Sequence, residues 1–206
     1  IGTWASGGAL NTARFAPGGF GTQTTAIMAT GDTSPPPSGR YTTNVESYDG
    51  TSYTEIAEVN TGRRELPGIG SSTAGLIAGG YNGPTELAIT ETWDGSSWTE
   101  VNDLNDARAN GGAFGTQTSG LYFGGDPTSA GTTDNTESWN GSSWTEVNNL
   151  NTARRSNKGA GLYTAGLSVA GYITARTGVV ESWDGTSWTE ITDVNTARTQ
   201  AGTSGT

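Results

Sequence analysis

A ten-residue segment occurs four times in this chain, and its repetition restricts the possible folds more than any other property of the sequence. Each copy holds two aromatic residues five positions apart, with Asp-Gly or Asn-Gly directly after the first aromatic. Aromatics at this spacing face each other across a hairpin, and Asp-Gly or Asn-Gly accepts the positive φ of a tight turn. We therefore predict a β-hairpin in each copy. The copies are Glu46–Glu55, Glu91–Glu100, Glu137–Glu146 and Glu181–Glu190.

A second marker, Asn-Xaa-Xaa-Arg, recurs every 44–49 residues. Seven residues after each arginine stands a glycine, and seventeen residues after each of the first four arginines stands another. A period of this length indicates one supersecondary unit repeated along the chain. The arginines of the marker are Arg14, Arg63, Arg108, Arg154 and Arg198.

Each repeat is predicted to contain four short strands, named A to D here. Strand A follows the arginine and is rich in small residues, which suits close packing. Strands C and D are the two arms of the hairpin. Four antiparallel strands at this period predict an all-β fold, a β-propeller with one blade per repeat. Strand B is the most apolar and is expected at Ala26–Ala29, Leu76–Ala78, Leu121–Phe123 and Leu167–Ala170.

Composition argues against several classes of function. The chain has no histidine and no cysteine, so it lacks the commonest general base and cannot form thiolate zinc sites. We therefore predict no enzyme activity, no cofactor and no metal. A net charge of −10 with a single lysine argues against a nucleic-acid partner. No apolar run approaches the roughly 18 residues of a membrane span, so no membrane insertion is expected.

The pattern resembles the kelch repeat, in which an arginine leads the first strand, Gly-Gly ends the second, and an aromatic and a tryptophan lie on the outer strands. Gly79-Gly80 and Gly124-Gly125 keep the doublet, whereas Thr30-Gly31 and Ala170-Gly171 replace it in the first and fourth repeats. The resemblance implies one propeller domain over residues 1–206. Its boundaries would be strand D of a split blade at 1–13, blades at 14–59, 60–104, 105–150 and 151–194, and strand A of the split blade at 195–206.

The two ends of the chain look like parts of one further repeat. Trp4 to Leu10 has the spacing of Trp98 to Leu104, which is typical of strand D. Four complete blades are thus flanked by the split ends of a fifth, and about one B–C stretch is missing. We expect an excerpt of a longer, five-bladed propeller. A four-bladed ring with redundant ends is the alternative.

The repeated arginines are the first candidate site. Arg14, Arg63, Arg108, Arg154 and Arg198 would stand around one mouth of a central channel, where guanidinium groups suit acidic ligands. The alternative is structural, because each repeat also has a strand-C glutamate that could pair with the arginine of its own or a neighbouring blade. Recurrence in every unit favours the structural role. These glutamates are Glu46, Glu91, Glu137 and Glu181.

The B–C loops break the symmetry of the repeats and are the second candidate site. They differ in length, charge and proline content, and variable loops on a rigid frame are where recognition is usually placed. The predicted loops are Asp32–Asn44 (with three prolines at 35–37), Tyr81–Ala88, Asp126–Asn135 and Tyr172–Gly178. Aromatic faces and amides suit sugars, and the predicted contacts are Tyr41, Tyr81, Asn82, Asp126, Tyr172 and Arg176. The alternative for each residue is a solvated connection.

These features predict a non-enzymatic binding or structural module. The Gly/Thr/Asn/Ser-rich, nearly duplicated repeats look like those of proteins from bacteriophages, marine ones especially, and bacterial surfaces. That similarity implies an extracellular or virion location, as a tail-fibre, decoration or receptor-binding part that recognises glycan or protein. There are two alternatives. One is a purely structural component of an assembly, which could form by contacts between copies of the chain, and the other is a non-catalytic domain of a larger secreted enzyme.

Overall fold

The computed structural model describes residues 7–34, 40–127 and 131–205, and within these ranges the chain is all-β, without a helix. Four antiparallel four-stranded sheets follow one another along the chain, each with its strands side by side in sequence order, and a two-stranded sheet accompanies the third. Each four-stranded sheet is one repeat. We call residues 14–59, 60–104, 105–150 and 151–194 units 1 to 4. The prediction of four strands per repeat is confirmed.

Unit 1 contains β1 (Gly18–Gly21), β2 (Ala26–Ala29), β3 (Val45–Tyr48) and β4 (Tyr53–Ile56). Unit 2 contains β5 (Gly68–Ser71), β6 (Ala74–Ala78), β7 (Thr90–Trp93) and β8 (Trp98–Val101). Unit 3 contains β9 (Arg108–Ala109), β10 (Gly112–Thr116), β11 (Ser119–Phe123), β12 (Asp126–Pro127), β13 (Thr136–Trp139) and β14 (Trp144–Glu146), of which β9 and β12 pair only with each other. Unit 4 contains β15 (Lys158–Leu162), β16 (Ala165–Tyr172), β17 (Arg176–Trp183) and β18 (Trp188–Ile191).

The hairpins form as the sequence predicts. In unit 2, Trp93 and Trp98 are directly opposite in register, with ring centroids 5.3 Å apart. Asp94 closes the turn because its Oδ1 accepts hydrogen bonds of 2.8 Å from the backbone N–H groups of Ser96 and Ser97. Gly95 has a φ of +96°, the conformation that favours glycine. The Ser96 hydroxyl, which also donates to Asp94 Oδ1, and then these two backbone N–H groups hold the pKa of the Asp94 carboxyl well below its ordinary value.

The first strands of the four sheets lie next to one another in chain order, β1 against β5, β5 against β10 and β10 against β15. They line one cavity of about 670 Å³, together with residues 203–205. The space around this cavity is therefore shared by all four units and by the chain beyond unit 4.

A chain of backbone hydrogen bonds links the units around a smaller cavity of about 190 Å³. The residue two positions after each repeated arginine has a left-handed backbone, an uncommon state for residues other than glycine. From unit 2 onward its N–H donates to the carbonyl of its counterpart in the preceding unit, at 2.7–2.9 Å. The satisfied hydrogen bonds explain why the backbone conformation recurs. The linked residues are Ala16, Glu65, Asn110, Ser156 and Gln200.

The hydrophobic core lies between successive sheets. The cluster between units 1 and 2 places Phe20 and Ile27 against Trp93 and Trp98, and equivalent clusters join units 2 to 3 and 3 to 4. Glycines on the second strand make this contact possible. A Cβ at Gly75 would stand 2.1 Å from the ring of Phe20 in the preceding unit. Ile69 and Phe114 approach Gly120 and Gly166 in the same way, at 2.4 Å.

Two predicted loop boundaries are wrong. Tyr172 and residues 176–178, placed in a loop, belong to the extended pair β16–β17, which passes a β-bulge between Val169 and Gly171. The extra pairing satisfies backbone groups that a loop would leave to solvent. Asp126 and Pro127 likewise form β12. The prolines at 35–37 lie outside the described residues.

The structure describes the C-terminal part of the predicted fifth repeat but little of its N-terminal part. Residues 199–205, expected as a strand A, form no strand and belong to no sheet of the described residues. They are held at the cavity instead, where Thr203 Oγ1 donates to the carbonyl of Gly159 at 2.7 Å. The expected strand D at the N-terminus falls largely on residues 1–6, which are outside the described ranges.

The contact between Phe20 and Gly75 generates a first prediction. The substitution Gly75→Ala should lower the free energy of unfolding by about 1–3 kcal/mol, because the added methyl group overpacks the interface between units 1 and 2. Urea denaturation measures the effect. Gly202→Ala is the matched control, since a Cβ there meets nothing within 4 Å. Equal stability of the two variants would contradict the packing account.

Unit 1 lacks a threonine hydroxyl that units 2 and 3 have, and this difference leads to a second prediction. The fourth-strand tryptophans of units 3 and 4 donate from Nε1 to a threonine of the preceding unit, Trp144 to Thr90 at 3.0 Å and Trp188 to Thr136 at 3.2 Å. Trp98 has Val45 at the equivalent position, and its Nε1 is buried without a hydrogen-bond partner.

The substitution Val45→Thr should therefore raise the free energy of unfolding by about 0.5–1.5 kcal/mol, the net value of one hydrogen bond. The reciprocal change Thr90→Val should lower it by about 1–3 kcal/mol, because it leaves Trp144 Nε1 unsatisfied. Thermal unfolding of both variants checks the pair. A destabilised Val45→Thr variant would show that the repeat symmetry does not extend to this site.

Candidate functional site

The repeated arginines of units 1 to 4 are buried in ion pairs. Each pairs with the strand-C glutamate of its own unit, and the side chains of both partners are at most 1% exposed. Arg63 Nη1, for example, lies 2.6 Å from Glu91 Oε1. Burial lowers the pKa of Arg63 below its ordinary value, and the carboxylate of Glu91 opposes that shift. The four pairs are Arg14–Glu46, Arg63–Glu91, Arg108–Glu137 and Arg154–Glu181.

The asparagine of each marker completes the same site. Asn60 donates from its backbone N and its Nδ2 to Glu91 Oε2, both at 2.7 Å, so that each carboxylate oxygen has its own donors. Asn11, Asn105 and Asn151 repeat this arrangement in the other units. The marker Asn-Xaa-Xaa-Arg is thus a carboxylate-binding sequence whose carboxylate is part of the same unit.

The geometry bears directly on the two interpretations of these residues. Arg14, Arg63, Arg108 and Arg154 offer no exposed side-chain surface, and their carboxylate partners come from within the chain. These four arginines therefore lie outside the candidate ligand site. Arg198 differs, because it is exposed and its Nε donates only to the backbone carbonyl of Thr196, at 3.0 Å.

The B–C loops meet the segments that follow the repeated arginines, and backbone bridges join the two, as between Phe15 and Asp32 or Arg64 and Tyr81. We call this side of the molecule the loop face. At its centre in units 1 and 2, Arg64 Nη1 donates to Asp32 Oδ2 at 3.1 Å across the unit boundary. The loop face therefore brings together side chains that are distant in sequence.

Three aromatic rings surround the guanidinium of Arg64. Its Cζ lies 5.3 Å from the ring centroid of Tyr81 and 5.8 Å from those of Phe15 and Tyr41. Tyr41 and Tyr81 are in edge-to-face contact with centroids 6.2 Å apart. Phe15 is 54% exposed, the most exposed of the large hydrophobic side chains in the described residues. Burial raises the pKa of Tyr41 above its ordinary value, so this ring stays a neutral phenol at physiological pH.

A second, smaller cluster occurs in units 3 and 4. Arg155 Nη1 donates to Asp126 Oδ1 at 2.9 Å, and its Cζ lies 4.9 Å from the ring centroid of Tyr172. Asn110 Nδ2 donates both to Asp126 Oδ2 at 3.1 Å and to Glu65 Oε2 at 3.0 Å. The arrangement repeats the Asp32–Arg64–Tyr81 contacts two units later, but without a counterpart of Phe15 or Tyr41.

The predicted loop residues are distributed between these clusters. Tyr41 and Tyr81 belong to the first and Asp126 and Tyr172 to the second. Asn82 Oδ1 accepts from the backbone N of Thr85 at 3.3 Å, and Arg176 is exposed opposite Tyr172 in the β16–β17 pair.

Sequence reasoning missed Arg64 and Arg155, on which both clusters are centred. The available signal was the doublet Arg63-Arg64 and Arg154-Arg155, in which the second arginine breaks the repeat.

The only lysine of the chain, Lys158, lies where the units meet, at a cavity that Phe15 and Asn110 of the loop-face clusters also line. It lines two adjoining cavities of about 190 and 340 Å³ between the units, the smaller also lined by Glu65 and Gln200. Burial lowers the pKa of the Lys158 amine below its ordinary value. Units 1 to 3 have Gly18, Pro67 and Gly112 at the equivalent position, so this side chain is specific to unit 4.

The same ranges also bear on metal binding and on membrane insertion. No group of three or more acidic residues there is arranged to hold a metal ion. The described chain also lacks a helix long and apolar enough to cross a membrane. Comparison with protein-family models gives no match, and comparison with curated proteins gives no significant relative.

The buried pairs generate a third prediction. Glu91→Gln should lower the free energy of unfolding by roughly 3–5 kcal/mol, because it leaves the Arg63 guanidinium buried without a counter-charge. Glu100→Gln is the control, since Glu100 lies opposite Glu91 in register but is exposed, and surface changes of this kind stay within about 0.5 kcal/mol. Urea denaturation compares the two. A loss below about 1 kcal/mol in Glu91→Gln would contradict a structural role for the pair.

Proposed function

We propose that this chain is a kelch-like β-propeller module without enzymatic activity, which recognises a glycan through its loop face. In this proposal units 1 to 4 are complete blades, and residues 195–206 belong to a fifth. The adjacency of β1, β5, β10 and β15 around one cavity supports a shared axis, because a linear stack of sheets would not bring all four first strands to one space.

The aromatic cluster of the loop face is the observation that carries the binding function. Repeated contacts such as the arginine–glutamate pairs serve the frame, whereas the Phe15–Tyr41–Tyr81 group around Arg64 occurs once among the described residues. The exposed ring of Phe15, beside the half-buried rings of Tyr41 and Tyr81, suits the apolar face of a sugar. Arg64, whose side chain is 26% exposed, can donate hydrogen bonds to the hydroxyl groups of the sugar. A single site that departs from the repeat is what a specific ligand requires.

The distribution of carboxylates supports a function without catalysis. A glycosidase needs two carboxyl groups free to act on one bond. The strand-C glutamates are each held by an arginine and an asparagine, and the Asp32 and Asp126 carboxylates are held by Arg64 and Arg155. The pKa of Asp32 is lowered, first by the backbone N–H of Ser34, which keeps it ionised rather than available as an acid.

A role as a virion or cell-surface component, in an extracellular setting, fits a display module of this kind. The second candidate, a purely structural part of an assembly, is favoured by one observation. The outward side of unit 4 exposes Leu162, Leu167 and Ile191, at 37–45% of their surfaces. An exposed apolar group of this kind is a candidate contact with another chain.

The fourth prediction tests the glycan proposal with the fluorescently labelled chain on an array of defined glycans. The double variant Phe15→Ala/Tyr81→Ala should lose at least about tenfold in affinity for any glycan that the unaltered chain binds, because central aromatic contacts carry most of the energy of such sites. Leu162→Ala removes an equally exposed apolar side chain away from the loop face, and this control should bind normally.

Two results would overturn the proposal. One is the absence of any glycan signal above background for the unaltered chain. The other is a signal that Phe15→Ala/Tyr81→Ala leaves unchanged. Sedimentation that shows oligomers which the loop-face variant still forms would favour the assembly role instead.

A further inference from the structure

Asn195 and Arg198 repeat the carboxylate-binding marker a fifth time, but among the described residues no carboxylate occupies it. The backbone of this segment is already in place. Gly171 N donates to the carbonyl of Arg198 at 2.9 Å, just as Gly31, Gly80 and Gly125 donate to the preceding arginines of the series, Arg63, Arg108 and Arg154. The loop is thus formed as in the other units, while the Arg198 side chain stays exposed beside a cavity of about 450 Å³.

A second, independent observation points to the same place. Ile27, Leu76 and Leu121 are equivalent in register and at most 2% exposed, because the tryptophan pair of the following unit covers each of them. Leu167 is their counterpart in unit 4 and is 37% exposed. Beside it is a cavity of about 360 Å³ lined in part by Ala160, Gly166 and Trp183. Unit 4 thus has an apolar face prepared for a tryptophan pair.

We infer that this surface binds one kind of partner, a β-meander of the chain's own B–C–D type, with a glutamate two residues before the first aromatic of its hairpin. The glutamate of the partner would accept hydrogen bonds from Asn195 and form an ion pair with Arg198, as Glu181 does with Asn151 and Arg154. The aromatic pair of the hairpin would cover Leu167. The first strand of the meander would pair with residues 199–205, which belong to no sheet of the described residues.

A second folded copy of this chain does not fit the site. Its four strand-C glutamates are already paired with buried arginines and are at most 1% exposed. Releasing one would leave a buried arginine without its counter-charge, which is strongly unfavourable. The partner must therefore bring a hairpin whose glutamate has no arginine of its own.

The test uses the chain 1–206 and a probe segment with the sequence of residues 165–191, fused to a soluble carrier protein so that it stays in solution. Titration calorimetry is expected to show saturable one-to-one binding. A probe with glutamine in place of the glutamate that corresponds to Glu181 should bind at least about tenfold more weakly, since a charge-assisted contact is lost. Arg198→Met in the chain should cause a similar loss, and this exposed substitution is compatible with folding.

The losses of binding free energy caused by the glutamine probe and by Arg198→Met should not add when the two are combined, because both remove the same contact. Arg176→Met, which removes another exposed arginine of unit 4, is the control and should leave the affinity unchanged.

Several outcomes would overturn the inference. The first is no binding of the probe by the chain. The second is equal binding of the glutamate and glutamine probes, or equal binding by the unaltered chain and Arg198→Met. This second result would mean that the probe adheres to Leu167 alone or exchanges with the strands of unit 4. The third is a dimer of the chain in sedimentation that Arg198→Met abolishes, which would assign the surface to a second copy.

Discussion

The frame of this protein depends on a buried glutamate that receives one arginine and one asparagine. The arginine stands 27–32 residues before the glutamate, in the loop that enters the unit, and the glutamate is in the third strand. The pair therefore fixes the entering loop against the middle of the sheet. Burying two charges is costly unless they are paired, and the asparagine adds hydrogen bonds to the second oxygen of the carboxylate. The entering loop and the sheet are therefore joined through the ion pair.

A single unit cannot bury its own apolar surface, because its core is completed by the following sheet. The ring of Phe20 occupies the space that Gly75 leaves free, and the indoles of Trp93 and Trp98 cover Ile27. The backbone hydrogen bond from Glu65 N to the carbonyl of Ala16 also joins units 1 and 2. Repeat architectures share this property, since each unit gains its stability from its neighbours. It also explains why the far face of unit 4 keeps apolar side chains exposed.

The regular frame and the irregular loop face divide the sequence between two tasks. The recurring arginines and strand-C glutamates of units 1 to 4 are buried and meet partners inside the chain, and the recurring Asp-Gly and Asn-Gly pairs make the hairpin turns. Arg64 and Phe15 do not recur in this way, and they lie where loops from two units meet. A repeated scaffold provides rigidity through its shared contacts, and it leaves the residues that depart from the repeat free to determine recognition.

The amino-acid sequence determined the hairpins, the four strands of each unit and their order, because these depend on turn residues and on alternation between neighbouring strands. Trp93 and Trp98 must face each other once Asp94-Gly95 makes the turn. Sequence reasoning also found the Arg63–Glu91 type of pair as one of two alternatives. Recurrence favoured the pair, but the sequence left open whether the glutamate comes from the same or a neighbouring unit, since that depends on whether the entering loop folds over the third strand of its own unit.

The tertiary structure decided what depends on distance between units. The contact of Arg64 with Asp32 crosses a unit boundary, and no periodicity in the sequence encodes which loops approach each other. The extension of β16 and β17 was decided in the same way, because a bulge at Gly171 realigns backbone groups that a sequence pattern treats as loop. Local patterns specify hydrogen bonds between adjacent strands, whereas side-chain contacts between sheets require the packed arrangement of the whole chain.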